Sequence, residues 1–175
     1  MKSFIKIIFP IIILILIAYS GYRIIQISQN KKIREEKIAH IPSFELKTMQ
    51  GEVFTNANLK QNMPTVFLYF NSDCDFCQAE TEEIASNIKK LDGIQIIFVS
   101  NESIPQISAF QQKYKLDGYD NVLFLCDYNY KFIELLQLKT IPSSFIYSKD
   151  GFLLSKNSGS IKVDYLLKSI KRMDY

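Results

Sequence analysis

Two of the chain's three cysteines, Cys74 and Cys77, stand with two residues between them in FNSDCDFCQAETEEI, residues 70–84. Thiols at this spacing support three kinds of chemistry: two-electron thiol–disulfide exchange, metal ligation, or an inert structural cross-link. Metal ligation fits least well. A tetrahedral zinc site takes four ligands, and the other donors of that kind, Cys126 and His40, lie 49 and 34 residues from the pair. No metal or other cofactor is therefore expected. A redox role depends on what surrounds the sulfurs, because the thiolate is the reacting species and its environment sets how readily it forms.

The flanking sequence supplies a strand and then a helix. TVFLYF (65–70) is a continuous apolar run of β-branched and aromatic residues, as in a strand buried on both faces. From Cys74 to about Leu91 the pattern is helical, with Ile84, Ile88 and Leu91 on one face. Cys74 then lies at a helix N-terminus, where unpaired N–H groups and the macrodipole favour a thiolate. Cys77 lies one turn on, partly buried, where it can resolve a mixed disulfide. Ser72 or Asp73 suits the cap position, and acids in a first turn complement the dipole. The carboxylates of Asp73 and Asp75 also oppose a neighbouring anion, so the pair is expected to lean reducing.

Further alternation surrounds this unit. SFELKTMQGEVFT (43–55) reads as a hairpin turning at Gln50-Gly51, and IQIIFVS (94–100) and NVLFLC (121–126) as buried strands. SIPQISAFQQKYK (103–115) reads as a helix capped by Ser103 with Pro105 in its first turn. Residues 128–138 suit a short helix, and SSFIYSKDGFLLSKNSG (143–159) a hairpin turning at Asp150-Gly151. The closing IKVDYLLKSIKRM (161–173) is a helix with Val163, Leu166, Leu167 and Ile170 inward. Strands alternating with helices, then a hairpin and a last helix, imply a mixed sheet covered on both faces.

Upstream, residues 7–22 form a run of sixteen without a charge, IIFPIIILILIAYSGY. It is shorter than the roughly 20 residues that span a bilayer, but Phe4, Ile5, Ile24 and Ile25 extend it, and Lys6 and Arg23 can snorkel. The expected organisation is a signal anchor over 1–22, a juxtamembrane linker over 23–41 and a domain over 42–175. Ala18-Tyr19-Ser20 before Gly21 would also pass as a cleavage site, which makes a cleaved signal the alternative. No cysteine follows the run closely, which argues against a lipoprotein anchor. Much of the net charge of +3 comes from basic residues before position 38, so lipid headgroups are the expected partner and nucleic acid is not. The short basic tail before the span favours a domain outside the cytoplasm of a bacterium, although the basic residues after it argue the other way.

A second signature is KTIPSSFIY (139–147), where Ile141-Pro142 leads into an apolar strand and suits a cis-proline. Strand, Cys-x-x-Cys, helix, Thr-Ile-Pro, Asp-Gly hairpin and closing helix together resemble the thioredoxin fold. More closely they resemble the membrane-tethered TlpA/ResA-like thiol–disulfide oxidoreductases. The resemblance covers about 42–175, including the front hairpin and a Cys77-to-Pro142 segment long enough for that family's extra strand–helix insertion. It implies a thioredoxin-like mixed sheet with helices on both faces behind an N-terminal transmembrane helix. It further implies Cys74 as nucleophile, Cys77 as resolving thiol in a Cys74–Cys77 disulfide, and Pro142 as a cis-proline against it. Ile141 would offer its backbone to a substrate strand, Asp75 and Phe76 would border the substrate, and Glu80 would be the acid–base group. Partners would be protein disulfides or dithiols, recharged by a membrane or periplasmic dithiol donor.

The chain departs from the family in several places. Asp73 replaces a frequent Trp, the Asp75-Phe76 dipeptide lacks the usual proline, and Leu68 stands where many thioredoxins bury an aspartate. Peroxidase chemistry of the related peroxiredoxins would want Thr or Ser where Asn71 stands, and an arginine; none occurs between Arg34 and Arg172. A binding module with silent cysteines is the other alternative, but no strongly unequal surface marks one. Cys126, ending a strand, reads as a buried thiol. His40 reads as solvated, and the Asn101-Glu102-Ser103 sequon carries little meaning in a chain that looks bacterial.

Overall fold

The computed structural model describes residues 2–172, with the side chains of residues 2–15, 18, 30 and 34 outside the described part. The chain divides into two units, Met1–Ile38 and Ala39–Tyr175. The first is one helix, α1 (Lys2–Ile38). Leu16, Ile17, Tyr19, Tyr22, Ile24 and Ile25 are exposed on it, and Lys31 meets Glu35 one turn on at 3.7 Å. Most side chains of the expected anchor lie outside the described residues, and among the described residues no helix is long and apolar enough to cross a membrane. The helix runs through most of the expected linker and ends at Ile38. Residues 39–41 already belong to the second unit: Ile41 N–H donates to the Gly151 carbonyl at 3.0 Å, and Ala39 accepts from Leu153 at 2.8 Å.

The second unit is built on β1 (Glu45–Lys47), β2 (Val53–Thr55), β3 (Thr65–Tyr69), α2 (Asp75–Ser86), β4 (Gln95–Ser100), α3 (Ile104–Lys113), β5 (Val122–Cys126), α4 (Lys131–Leu135), β6 (Ser143–Tyr147), β7 (Leu153–Ser158) and α5 (Val163–Lys171). The sheet order is β2-β1-β5-β4-β3-β6-β7. The central β5, β4 and β3 are parallel, and the pairs that extend the sheet to either side are antiparallel. β3 sits between β4 and β6 and is buried along its whole length, as its apolar composition requires.

Alternation along β3 sends its residues to two cores. Val66 and Leu68, with Phe70 beyond the strand, join Ile84 of α2, Ile107 and Phe110 of α3, and Val163 and Leu166 of α5. On the other face Phe67 meets Phe44, Phe132 of α4 and Tyr147 at ring-centroid distances of 5.3–6.0 Å. Helices thus cover both faces of a mixed sheet, three on one and the short α4 on the other. Both hairpins turn where the sequence places them, with Gly51 at φ 84° and Gly151 at φ 81°, a backbone region that disfavours residues with a Cβ.

Two helices are shorter than their sequence patterns suggest. The helix expected to reach Leu91 stops at Ser86. Asn87 turns its side-chain amide back onto the Glu83 carbonyl at 2.9 Å, and a 3-10 turn over Ile88–Leu91 replaces further α-helix. Within 128–138 only Lys131–Leu135 is helical, because Tyr130 enters it at φ 59° and Gln137 leaves it at φ 50°. α3 keeps its expected cap, with Gln106 Oε1 accepting from the Ser103 N–H and hydroxyl at 3.2 and 2.6 Å.

Candidate active site

The three parallel strands end on the same side of the sheet, the place where open α/β folds collect functional loops. The β3 loop carries the cysteines. Cys74 is itself the N-cap of α2: its backbone is extended (φ −85°, ψ 116°) and its sulfur accepts the Cys77 N–H at 3.3 Å. The sequence placed the nucleophile at the helix N-terminus but gave the capping role to Ser72 or Asp73. Ser72 instead faces Glu102, and the Asp73 N–H donates to Asn71 Oδ1 at 3.0 Å. A sulfur in the cap position meets the helix donors directly, which is where a thiolate gains most from them.

Cys77 is fully buried, Cys74 partly exposed, and both are free thiols. Burial pushes the Cys77 thiol well above its ordinary range, and the hydrogen bond with Cys74 pushes it the same way. The Asn71 backbone opposes this by hydrogen bonding to the sulfur, and the charges of Cys74 and Glu80 raise it further. Glu80 is 3% exposed, one turn beyond Cys77 on the same helix. Burial lifts its carboxyl to about 7, against a hydrogen bond from the Ile161 N–H at 2.7 Å that lowers it, with the Glu83 charge adding to the rise. An ordinary surface acid would show none of this.

Ile141-Pro142 is a cis peptide, as expected from Thr-Ile-Pro, and Pro142 is buried at the start of β6. The Ile141 carbonyl faces the Cys74 sulfur at 4.0 Å, the outer limit of an S–H···O contact. Among the described residues the Ile141 N–H has no partner, so this backbone remains open beside the sulfur. Phe76 is 70% exposed, and Asp73, Asp75 and Ile141 are exposed as well. The structure therefore brings Cys74, Cys77, Glu80, Ile141 and Pro142 together and sets Asp75 and Phe76 at the rim.

Three participants escaped the sequence reading. Glu102, inside the triplet read as a sequon, accepts hydrogen bonds from the Ser72 N–H (2.8 Å), the Ser72 hydroxyl (2.6 Å) and the Ser100 hydroxyl (3.0 Å). Gln78 donates to the Ser72 carbonyl at 2.8 Å. Asp127 is fully buried and accepts from Tyr69 and from the Phe132 and Ile133 N–H groups, which fastens α4 to the end of β5. Its signal was an acid directly after an apolar strand. Cys126 is buried as expected, its thiol donating to the Glu102 carbonyl at 3.3 Å.

Comparison with known proteins agrees with this architecture. The thioredoxin-like protein SkfH of Bacillus subtilis is 26% identical over 110 residues, 60% of this chain and 76% of that one. The secreted Mycobacterium tuberculosis disulfide oxidoreductase homologous to E. coli DsbE superposes with a TM-score of 0.62 at 20% identity, covering 79% of this chain and 99% of the other. StoA of B. subtilis gives 0.58 at 20% identity, over 75% and 98%. Likeness at that identity establishes the thioredoxin fold. The AhpC/TSA family profile matches residues 39–156, from the first paired residue of the domain into β7, so the chain belongs to the AhpC/TSA family as a thioredoxin-fold redoxin.

Proposed function

We propose that the protein is a thiol–disulfide oxidoreductase that reduces or exchanges protein disulfides, tethered to a membrane with its domain outside the cytoplasm. The observation that carries the chemistry is the cap geometry: a partly exposed Cys74 sulfur takes the helix N–H, with a buried Cys77 one turn on and the Ile141-Pro142 edge alongside. The tether rests on the uncharged run over 7–22 and on the exposed apolar side chains of α1. A thioredoxin-like relative and disulfide oxidoreductases of the same fold point the same way.

The reaction runs in two displacements. The Cys74 thiolate attacks one sulfur of a substrate disulfide, and the other leaves as a thiolate that takes up a proton. Cys77 then loses its proton and attacks Cys74 Sγ, closing Cys74–Cys77 and releasing the second substrate thiol. Two electrons pass from the protein dithiol to the substrate, and an external dithiol returns them. Cys77 holds its proton tightly, so the second step needs a base. Glu80, with its carboxyl near 7 and its charge felt at Cys77, is the group available for it. An extended substrate segment docks on the open Ile141 backbone, with Phe76 and Asp75 against its side chains.

Peroxide reduction is not favoured, since no arginine lies between Arg34 and Arg172 and Asn71 stands three residues before Cys74. The deciding experiment incubates the reduced full-length protein with a disulfide-bonded protein. Substrate thiols should appear in step with the Cys74–Cys77 disulfide, and Cys77→Ala should halt at a covalent complex through Cys74. No thiol release and no complex would overturn the reading. For the tether, the protein should stay with membranes through a high-salt wash, and recovery of a soluble form starting at Gly21 would overturn it.

A further inference from the structure

Ser72, two residues before the nucleophile, has every backbone group engaged by side chains from other elements. Its N–H and hydroxyl donate to the two oxygens of Glu102 at 2.8 and 2.6 Å, and its carbonyl accepts from Gln78 of α2 at 2.8 Å. Glu102 is itself pinned, accepting from the buried Ser100 hydroxyl while its own N–H donates back to that oxygen at 3.2 Å. Gln78 is held in turn by the Lys113 ammonium at 3.2 Å. Loops do not ordinarily receive such complete attention from outside their own segment.

The neighbour that Ser72 fixes is Asn71, whose carbonyl accepts the Cys74 N–H at 3.2 Å and whose side-chain oxygen accepts the Asp73 N–H at 3.0 Å, while the Cys74 sulfur in turn accepts the Cys77 N–H at 3.3 Å. We propose that Glu102 is a positioning residue for the cysteine pair: by gripping both donors of Ser72 it fixes the Asn71–Cys74 turn that presents the Cys74 sulfur to the resolving thiol, and so sets how fast the mixed disulfide is resolved. The inference rests on the oxidoreductase reading. It assigns Glu102 an effect on the second displacement, in which Cys77 attacks Cys74 Sγ and the substrate sulfur leaves, and much less on the first. A carboxylate suits the task because hydrogen bonds to an ionised acceptor are shorter and stronger than those between neutral groups. Small displacements of a reacting group are costly, up to about a hundredfold in rate for about 1 Å.

The amide of Gln can reproduce the grip, its oxygen accepting the Ser72 N–H and its NH2 donating to the Ser72 hydroxyl, whereas Ala cannot. Reduced full-length protein is mixed with oxidised glutathione, acid-quenched at intervals, and the Cys74–glutathione adduct followed by mass. Glu102→Ala should form the adduct at close to the parental rate but lose it about tenfold more slowly. Glu102→Gln should recover most of that loss. Adduct decay at the parental rate in a folded Glu102→Ala overturns the proposal, and so does a Gln variant as slow as Ala, which would assign the effect to charge. Should Glu102→Ala fail to melt cooperatively, Ser72→Ala removes one donor alone. It should slow decay about threefold, and an unchanged decay overturns the inference. A parental protein that forms no adduct overturns the oxidoreductase reading itself, a result distinct from any variant effect.

Discussion

The first and second turns of α2 are neighbours in sequence and opposites in environment. The first, Asp75 and Phe76 with the cap Cys74 and Asp73 just before it, faces outward and carries charge and an exposed ring. The second, with Cys77, Glu80 and Thr81, is sealed, and both its thiol and its carboxyl hold protons more tightly than they would in water. Half of a thiol–disulfide exchange meets a large external molecule, and the other half is an internal displacement that water would only hinder. In the proposed mechanism the helix divides the two tasks by placing one sulfur on its cap and the next a turn further into the core.

The largest effect that could break this division comes from the sulfurs. Cys74→Ser should lower disulfide reduction by at least about a thousandfold, because the other two thiols, Cys77 and Cys126, are buried. Cys77→Ala should leave that attack intact and accumulate covalent complex instead. Equal loss of complex formation in both variants would mean the two turns are not separate stages. Glu80→Gln should slow release of the complex by about a hundredfold at pH 7.5, while the parental release rate rises with pH through about 7. Stability sharpens the same point. The folded carboxyl titrates near 7 and an unfolded one near 4.5. The contribution is therefore fully present below about 4.5 and is lost as pH rises through about 7, by about 3 kcal/mol in all. Denaturant melts across that window should slope in the parent and flatten in Glu80→Gln.

Smaller effects belong to the first turn. Phe76→Ser should raise KM for a protein disulfide several-fold with little change in kcat or Tm, since the ring is 70% exposed and supports no core. Asp73→Asn combined with Asp75→Asn should raise the reduction potential by about 10–30 mV in a glutathione titration at low salt. The difference should shrink at 0.5 M salt, where exposed charges are screened. A salt-independent difference would mean these carboxylates act through local hydrogen bonds.

Strands, both hairpins and the cysteine pair were legible because each is written locally: an apolar run, an Asp-Gly or Gln-Gly turn, two cysteines after a strand. Cis Ile141-Pro142 was legible only because it followed the other signatures in order. The helix end at Asn87 was not, since Ile88 and Leu91 keep the apolar spacing and are buried from a 3-10 turn just as well. Glu102 was invisible for a different reason. Its partner Ser72 lies 30 residues away, across the β3–β4 register, and a polar triplet after a strand looks like any surface loop. Glu80 was found by its offset from Cys77, but the N–H that holds its carboxylate belongs to Ile161, 81 residues distant.

The three residues that lead into the domain have a consequence of another kind. β7 is the last strand of the sheet, and Ala39, His40 and Ile41 lie along the start of it, with the His40 ring 4.0 Å from that of Phe152. An open strand edge is a template on which a second chain can add itself. Proteolysis or engineering that severs the domain at 42 would strip this cover and bare the backbone at Gly151 and Leu153. A cut at 38 leaves it in place. The difference should show in the test tube as aggregation on storage, in a protein whose chemistry at the far end of the sheet is untouched.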